Sequence, residues 1–153
     1  MFEQINIRNL ANFYFDLFSI PKNNNKEFLN QVVDQIDNLE TAYFAGGEPL
    51  ITEEHYILLE EMIRKGRTDI KLRYNTNLSR VDYKGVNLYQ DILANIRDWQ
   101  ICASIDGTGT TGEYIRTGLD YEQFCRNFEQ GLTYQKNRRQ MRLDFTLTLP
   151  GMF

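Results

Sequence analysis

Four short β-type runs, each separated from the next by a helix-sized stretch, restrict this chain to a narrow set of folds. The runs are Thr41–Ala45, Asp69–Tyr74, Gln100–Ile105 and Met141–Leu149. In the second, Ile70, Leu72 and Tyr74 alternate with polar residues, the two-residue period of a half-buried strand. Between the runs lie stretches with helical spacing: Thr52–Gly66, Leu88–Trp99 and Tyr121–Gln135. Another, Lys26–Asn38, precedes the first run and sets Phe28, Leu29, Val32, Val33 and Ile36 on one face. Consecutive strands joined by helices pair in parallel through right-handed crossovers. The expectation is one α/β domain over residues 1–153, its four strands parallel and in sequential order, with helices on one outer face.

The stretch Thr41–Gly66, TAYFAGGEPLITEEHYILLEEMIRKG, organises the rest. It reads as a buried strand, a tight turn at Gly46-Gly47-Glu48-Pro49, and an amphipathic helix whose stripe is Leu58, Leu59, Met62 and Ile63. Thr52 is the expected N-cap, Glu53 and Glu54 suit the positive helix start, and Gly66 is the expected stop. Paired glycines at a strand's carboxyl end let a ligand touch main chain, because no Cβ intervenes. The plainer alternative is a strand-to-helix turn that binds nothing.

Every chemically suggestive cluster falls at the carboxyl end of an expected strand. They are Gly46-Gly47-Glu48, Asn75-Thr76-Asn77, Ser104-Ile105-Asp106-Gly107 and Thr148-Leu149-Pro150. In parallel α/β architectures that rim is where ligands bind. Any single cluster is explained by the turn chemistry of Asn, Asp and Gly, and it is the set of four that indicates a site.

Composition excludes several function classes. A net charge of −4 disfavours a nucleic-acid surface, and Lys136, Arg138, Arg139 and Arg142, the one basic cluster, read as a solvated helix end complementing the dipole. No run approaches a membrane span and no basic-then-apolar leader opens the sequence, so the expected setting is cytoplasmic. The two cysteines, Cys102 and Cys125, have no close partner, which excludes a zinc knuckle or disulfide scaffold and fits a reducing compartment. Cys102 reads as a small buried hydrophobe. His55, the only histidine, reads as a surface or packing residue rather than a catalyst.

The sequence resembles the radical S-adenosylmethionine (radical SAM) superfamily. The carrying residues are Tyr43-Phe44-Ala45-Gly46-Gly47-Glu48-Pro49-Leu50, Tyr74-Asn75-Thr76-Asn77, Ala103-Ser104-Ile105-Asp106-Gly107 and Glu113-Tyr114-Ile115-Arg116-Thr117-Gly118. Within the superfamily it is most similar to the group with a twitch domain, related to SPASM-type peptide-modifying enzymes. The resemblance covers about residues 27–150. It implies a partial parallel (β/α) barrel, part of a (β/α)6 TIM-like barrel, that cradles S-adenosylmethionine. By that resemblance the Gly46-Gly47-Glu48-Pro49 turn receives the methionine amino group through main-chain carbonyls. Ser104 and Asp106 lie near the ribose hydroxyls, and Arg116 pairs with the methionine carboxylate, a task suited to a planar two-pronged donor. Asn75 and Asn77 line the same pocket.

The family's hallmark is a CxxxCxxC run upstream of the glycine turn, whose thiolates hold a 4Fe–4S cluster. Residues 1–45 contain no cysteine, and Cys102 and Cys125, with 22 residues between them, do not substitute. The first strand of the family also has no clear counterpart, since Tyr14, Phe15, Leu17 and Phe18 suggest a short helix or a packed loop. The resulting expectation is the middle of a radical SAM core (truncated, separately encoded or degenerate) that makes no radical alone and has no catalytic or metal residue of its own. In complete form such a protein binds S-adenosylmethionine and the cluster and starts radical chemistry on an unknown substrate, with peptides the class the resemblance suggests. The alternatives are a non-catalytic SAM-binding or interaction module, and a dinucleotide-binding domain built on the G-x-G-x-x-G pattern Gly107–Gly112. Open strand edges at both ends would make the chain prone to self-association or to completion by another chain.

Overall fold

The computed structural model describes residues 12–15 and 25–147. Their centre is a five-stranded, wholly parallel sheet with strands in the order β1-β2-β3-β6-β7. The strands are β1 (Asn12–Phe15), β2 (Thr41–Phe44), β3 (Lys71–Thr76), β6 (Trp99–Ile105) and β7 (Met141–Phe145). Between them run α1 (Asn25–Gln35), α2 (Glu53–Arg64), the hairpin β4 (Asp82–Tyr83) and β5 (Val86–Asn87), α3 (Gly109–Ile115) and α4 (Tyr121–Tyr134). The sequential parallel order of the four expected strands is therefore observed.

One face of the sheet carries the core. Along β6, Trp99, Ile101, Ala103 and Ile105 are buried while Gln100, Cys102 and Ser104 are only half-buried. On β3, Leu72 and Tyr74 are buried and Lys71 and Asn75 exposed. The buried set joins Phe44 and Ala42 of β2 with Val32 of α1 and with Leu58, Leu59 and Met62 of α2 in a single cluster. α1, α2 and α4 therefore stack on that face, and the opposite face of β3 and β6 carries less buried, mostly polar side chains. Open edges on both sides would leave part of the cover missing from whichever of Phe44, Leu72, Ile101 and Phe145 point inward; the first three are fully buried under the helices, while Phe145 is 37% exposed.

Several boundaries differ from expectation for identifiable reasons. A first strand exists: β1 pairs with β2 in register from Asn12↔Thr41 to Phe15↔Phe44, so the edge expected to be open beside β2 is occupied. Residues Leu17 and Phe18 and the cluster Thr148-Leu149-Pro150 lie outside the described residues. α1 ends at Gln35 and is followed by a single tight 3₁₀ turn, Ile36–Asn38. The polar segment after β3 is a hairpin whose two-residue turn, Lys84-Gly85, has φ of 49° and 87°, the positive pair that a tight hairpin turn requires. The helix expected over Leu88–Trp99 is a π-helical segment, Leu88–Leu93, with Ala94 N–H donating to Tyr89 O at 2.9 Å. Trp99 instead opens β6, because its register opposite Leu72 puts the indole into the core.

α2 begins and ends by different devices. Thr52 sits at the N-cap position but makes no cap; its hydroxyl donates to Pro49 O at 2.9 Å and closes the preceding 3₁₀ turn. At the other end Gly66 N–H donates to Ile63 O and Arg67 N–H to Met62 O, at 2.9 and 2.8 Å, which is a Schellman stop as expected.

Candidate functional site

The rim at the carboxyl ends of β2, β3 and β6 is built from two clusters. The first is the turn after β2. Gly46 and Gly47 are exposed and adopt φ of 79° and 50°, the left-handed region where a Cβ is strained, so their main chain faces solvent bare. Glu48 turns inward and is buried. Its Oε1 accepts from Thr76 Oγ1 at 2.6 Å and from Leu50 N–H at 3.3 Å, while its Oε2 accepts from Asn77 N–H at 2.9 Å. Glu48 is thus a latch that ties the glycine turn to the end of β3, and its carboxylate holds protein donors. Pro49 is buried at the start of the 3₁₀ turn that follows.

The β3 end is held from the other side as well. Thr76 Oγ1 accepts from Leu78 N–H at 2.9 Å, and Asn127 Nδ2 of α4 donates to Leu78 O at 2.8 Å. These bonds maintain Leu78 at φ 52°, an uncommon conformation for a side chain of this size. Asn75 is exposed on the polar face, and Asn77 turns its Oδ1 to Ser79 N–H at 2.9 Å.

The second cluster is at the end of β6. The Arg116 guanidinium, just past α3, reaches back to Asp106 (Nε–Oδ2 2.7 Å) and donates from Nη1 to Ser104 O at 2.9 Å. Ser104, Asp106 and Arg116 therefore meet at the same end of the sheet as Gly46 and Gly47. Both the ion pair and the carbonyl contact leave further guanidinium N–H groups for a ligand, because arginine carries five donors. Asp106 is the first partner of Arg116 here, so a ligand carboxylate would share the guanidinium with it rather than find it unpaired.

The glycine pattern after β6 has a packing cause. A Cβ on Gly112 would stand 2.3 Å from Gly107 O, and one on Gly107 3.1 Å from the Gly112 Cα. The two glycines let the loop fold directly onto α3, a helix of only seven residues. The G-x-G-x-x-G spacing is accounted for by this close approach.

The remaining chemical residues lie elsewhere. His55, expected at the surface or in packing, is fully buried between Phe44, Tyr56 and Tyr74, with Nε2 3.1 Å from Tyr74 Oη and Nδ1 without a partner. Burial lowers its pKa from 6.5 to about 3, so it is neutral. Cys102 is half-buried on the open polar face rather than in the core, because it alternates with Ile101 and Ala103. Desolvation first, and then the charge of Asp144, push its thiol up, with Arg142 opposing. Cys125 is on α4. These two thiols, on different elements and one of them held protonated, do not fit a cluster that needs three gathered thiolates. Among the described residues no group of three or more His, Cys, Asp or Glu side chains is gathered to hold a metal.

Sequence reasoning missed Thr76, Leu78 and Asn127, which hold the rim in shape. The first lay inside a recognised cluster, but its role depends on a carboxylate 28 positions earlier in the chain. Fold and rim together define an α/β protein with a singly wound parallel sheet and a polar, glycine-bearing carboxyl rim. Beyond that class, no protein-family model matches the chain and no curated protein matches it with significance. Among the described residues no helix is long and apolar enough to cross a membrane.

Proposed function

We propose that this chain is an S-adenosylmethionine-binding module with the architecture of a radical SAM core, a partial (β/α) barrel. The observation that carries the reading is that the bare Gly46-Gly47 main chain and the Ser104–Asp106–Arg116 cluster lie at the same, carboxyl end of the parallel sheet, after β2 and β6 with β3 between them. The glycine turn would receive the ammonium group of the ligand through its carbonyls, Arg116 its carboxylate, and Ser104 with Asp106 the ribose hydroxyls. Asn75 and Asn77 would stand along the pocket wall. Order in the rim comes from the Glu48 latch, so little would have to move on binding.

A 4Fe–4S cluster belongs to this reading only if another segment or chain supplies its thiolates. When bound, such a cluster anchors the methionine end of the ligand and supplies the electron for radical chemistry. The whole assembly would then act on a separate substrate, of which peptides are the class suggested by the twitch and SPASM resemblance. Without the cluster the module binds but starts no radical. Two unpaired cysteines go with a reducing, cytoplasmic setting.

Isothermal titration of the chain with S-adenosylmethionine tests the proposal. Saturable binding is expected, weaker than micromolar because the anchoring iron is absent, and at least about tenfold weaker in Arg116→Ala, a loss matching one charge-assisted contact. Sub-micromolar affinity would show that the missing iron is not what limits binding. The absence of any saturable heat, or identical affinity in Arg116→Ala, would sink the site.

A further inference from the structure

The opposite end of the sheet holds a second, basic cleft of about 890 Å³, lined by Arg73, Asp98, Trp99, Gln100 and residues 137–140 with Arg142. We propose that this cleft is a binding site for a small phosphate-bearing anion.

Charge is the first observation. Four guanidiniums, those of Arg73, Arg138, Arg139 and Arg142, face one carboxylate, Asp98. That carboxylate is spent on Arg73, which grips it through Nη1 at 3.2 Å and Nη2 at 2.9 Å. Arg138, Arg139 and Arg142 make no ion pair among the described residues, in a chain whose acidic residues outnumber its basic ones. Lys136, the remaining member of the basic run, does behave as a helix-end cation: its Nζ donates to Ala94 O and Ile96 O at 3.4 and 3.2 Å. The arginines therefore form a group with a different purpose.

Preorganisation is the second. The loop before β7 is tied to itself and to β6. Gln140 Oε1 accepts from Lys136 N–H and from Asn137 N–H, Asn137 Oδ1 accepts from Arg139 N–H at 2.9 Å, and Gln100 Nε2 donates to Arg139 O at 2.8 Å. Arginines that repel one another are thus held close together on a fixed turn, an arrangement that a bound anion would relieve.

An unpartnered donor is the third. Gln140 Nε2 is a buried side-chain donor with no hydrogen-bond partner among the described residues, and Gln140 belongs to this cleft's wall. It would gain an acceptor from a bound oxyanion. The volume is that of a small-molecule site, and a phosphate group offers the several oxygens that forked guanidiniums bind two at a time. The cleft is independent of the rim, at the other end of the strands.

The experiment titrates the whole chain with inorganic pyrophosphate at constant ionic strength, following calorimetric heat. Saturation in the micromolar-to-millimolar range is expected, with affinity at least about tenfold lower in Arg138→Gln/Arg142→Gln, as loss of two charge-assisted contacts implies. Both arginines are exposed, and each single variant, checked by its thermal melt, serves if the double variant folds poorly. No saturable heat, or unchanged affinity in folded variants, overturns the proposal. Equal affinity for citrate overturns the phosphate class. Binding of pyrophosphate that survives in Arg116→Ala keeps this site distinct from the rim.

Discussion

Lowering the pH from 7.5 to 5.0 should destabilise this protein through His55. The imidazole is fully buried, its pKa held at about 3 against 6.5 in the unfolded chain, with desolvation as the cause. The unfolded state therefore binds a proton that the folded state refuses. The contribution is complete above about pH 7 and falls as pH drops below 6.5, until it levels off near 3. At 1.36 kcal/mol for each unit below 6.5, the loss at pH 5.0 is about 2 kcal/mol. Tyr74 and Tyr56, the ring neighbours of His55, are both pushed upward by burial and stay neutral throughout, so they add nothing to this window. Urea unfolding of the wild type and of His55→Gln at the two pH values isolates the effect. Gln can still accept from Tyr74 Oη but does not titrate. The wild type should lose about 2 kcal/mol more than the variant between pH 7.5 and 5.0. Equal losses in the two proteins would refute the reasoning, because they would mean that the imidazole is hydrated or becomes protonated inside the folded state.

Thr76→Val removes the 2.6 Å donor to the buried Glu48 carboxylate and should cost about 1.5–3 kcal/mol, read as a lowered urea midpoint, with weaker S-adenosylmethionine binding as the glycine turn loosens. Gly112→Ala places a Cβ 2.3 Å from Gly107 O, so that backbone must shift, and should destabilise by about 1–3 kcal/mol in the same assay. On β7, Leu143 and Phe145 are 54% and 37% exposed, and no described strand pairs with the far edge. Concentration-dependent association is expected by size-exclusion chromatography with light scattering, and Leu143→Lys should reduce it; a sharp, concentration-independent wild-type monomer would show that this edge is not adhesive.

The architecture was legible because parallel β/α folds write each level of structure into local sequence. Alternation in Asp69–Tyr74, the stripe Leu58–Ile63 and the Gly66 stop each needed only near neighbours, and each has its counterpart in the fold. What escaped depended on partners distant in sequence. Asn12–Phe15 has no alternation of its own and becomes a strand only because Thr41–Phe44 lies beside it. Trp99 was assigned to a helix by spacing, yet the register opposite Leu72 makes it the first residue of β6. Cys102 looked apolar by company, while strand alternation turns it to the open face.

The same distinction separates the two candidate sites. The rim announces itself because a glycine turn and an Asp-Gly strand end are contiguous motifs, each shaped by local backbone needs. The basic cleft does not, because only part of it is contiguous: Arg138, Arg139 and Arg142 form a visible run, and that run alone is indistinguishable from a solvated helix end. Its identity as a cleft rests on Arg73, which lies 25 positions before its partner Asp98, and on parallel pairing that sets β3, β6 and β7 side by side. The ion pair between Arg73 and Asp98 then matters twice. It cancels the one negative charge in the cleft, and it leaves the field of Arg138, Arg139 and Arg142 uncompensated within the cleft. Neutralising that carboxylate with Asp98→Asn should therefore release Arg73 toward a bound anion and strengthen pyrophosphate binding in calorimetry, whereas unchanged affinity would show that Arg73 and Asp98 do not face the anion.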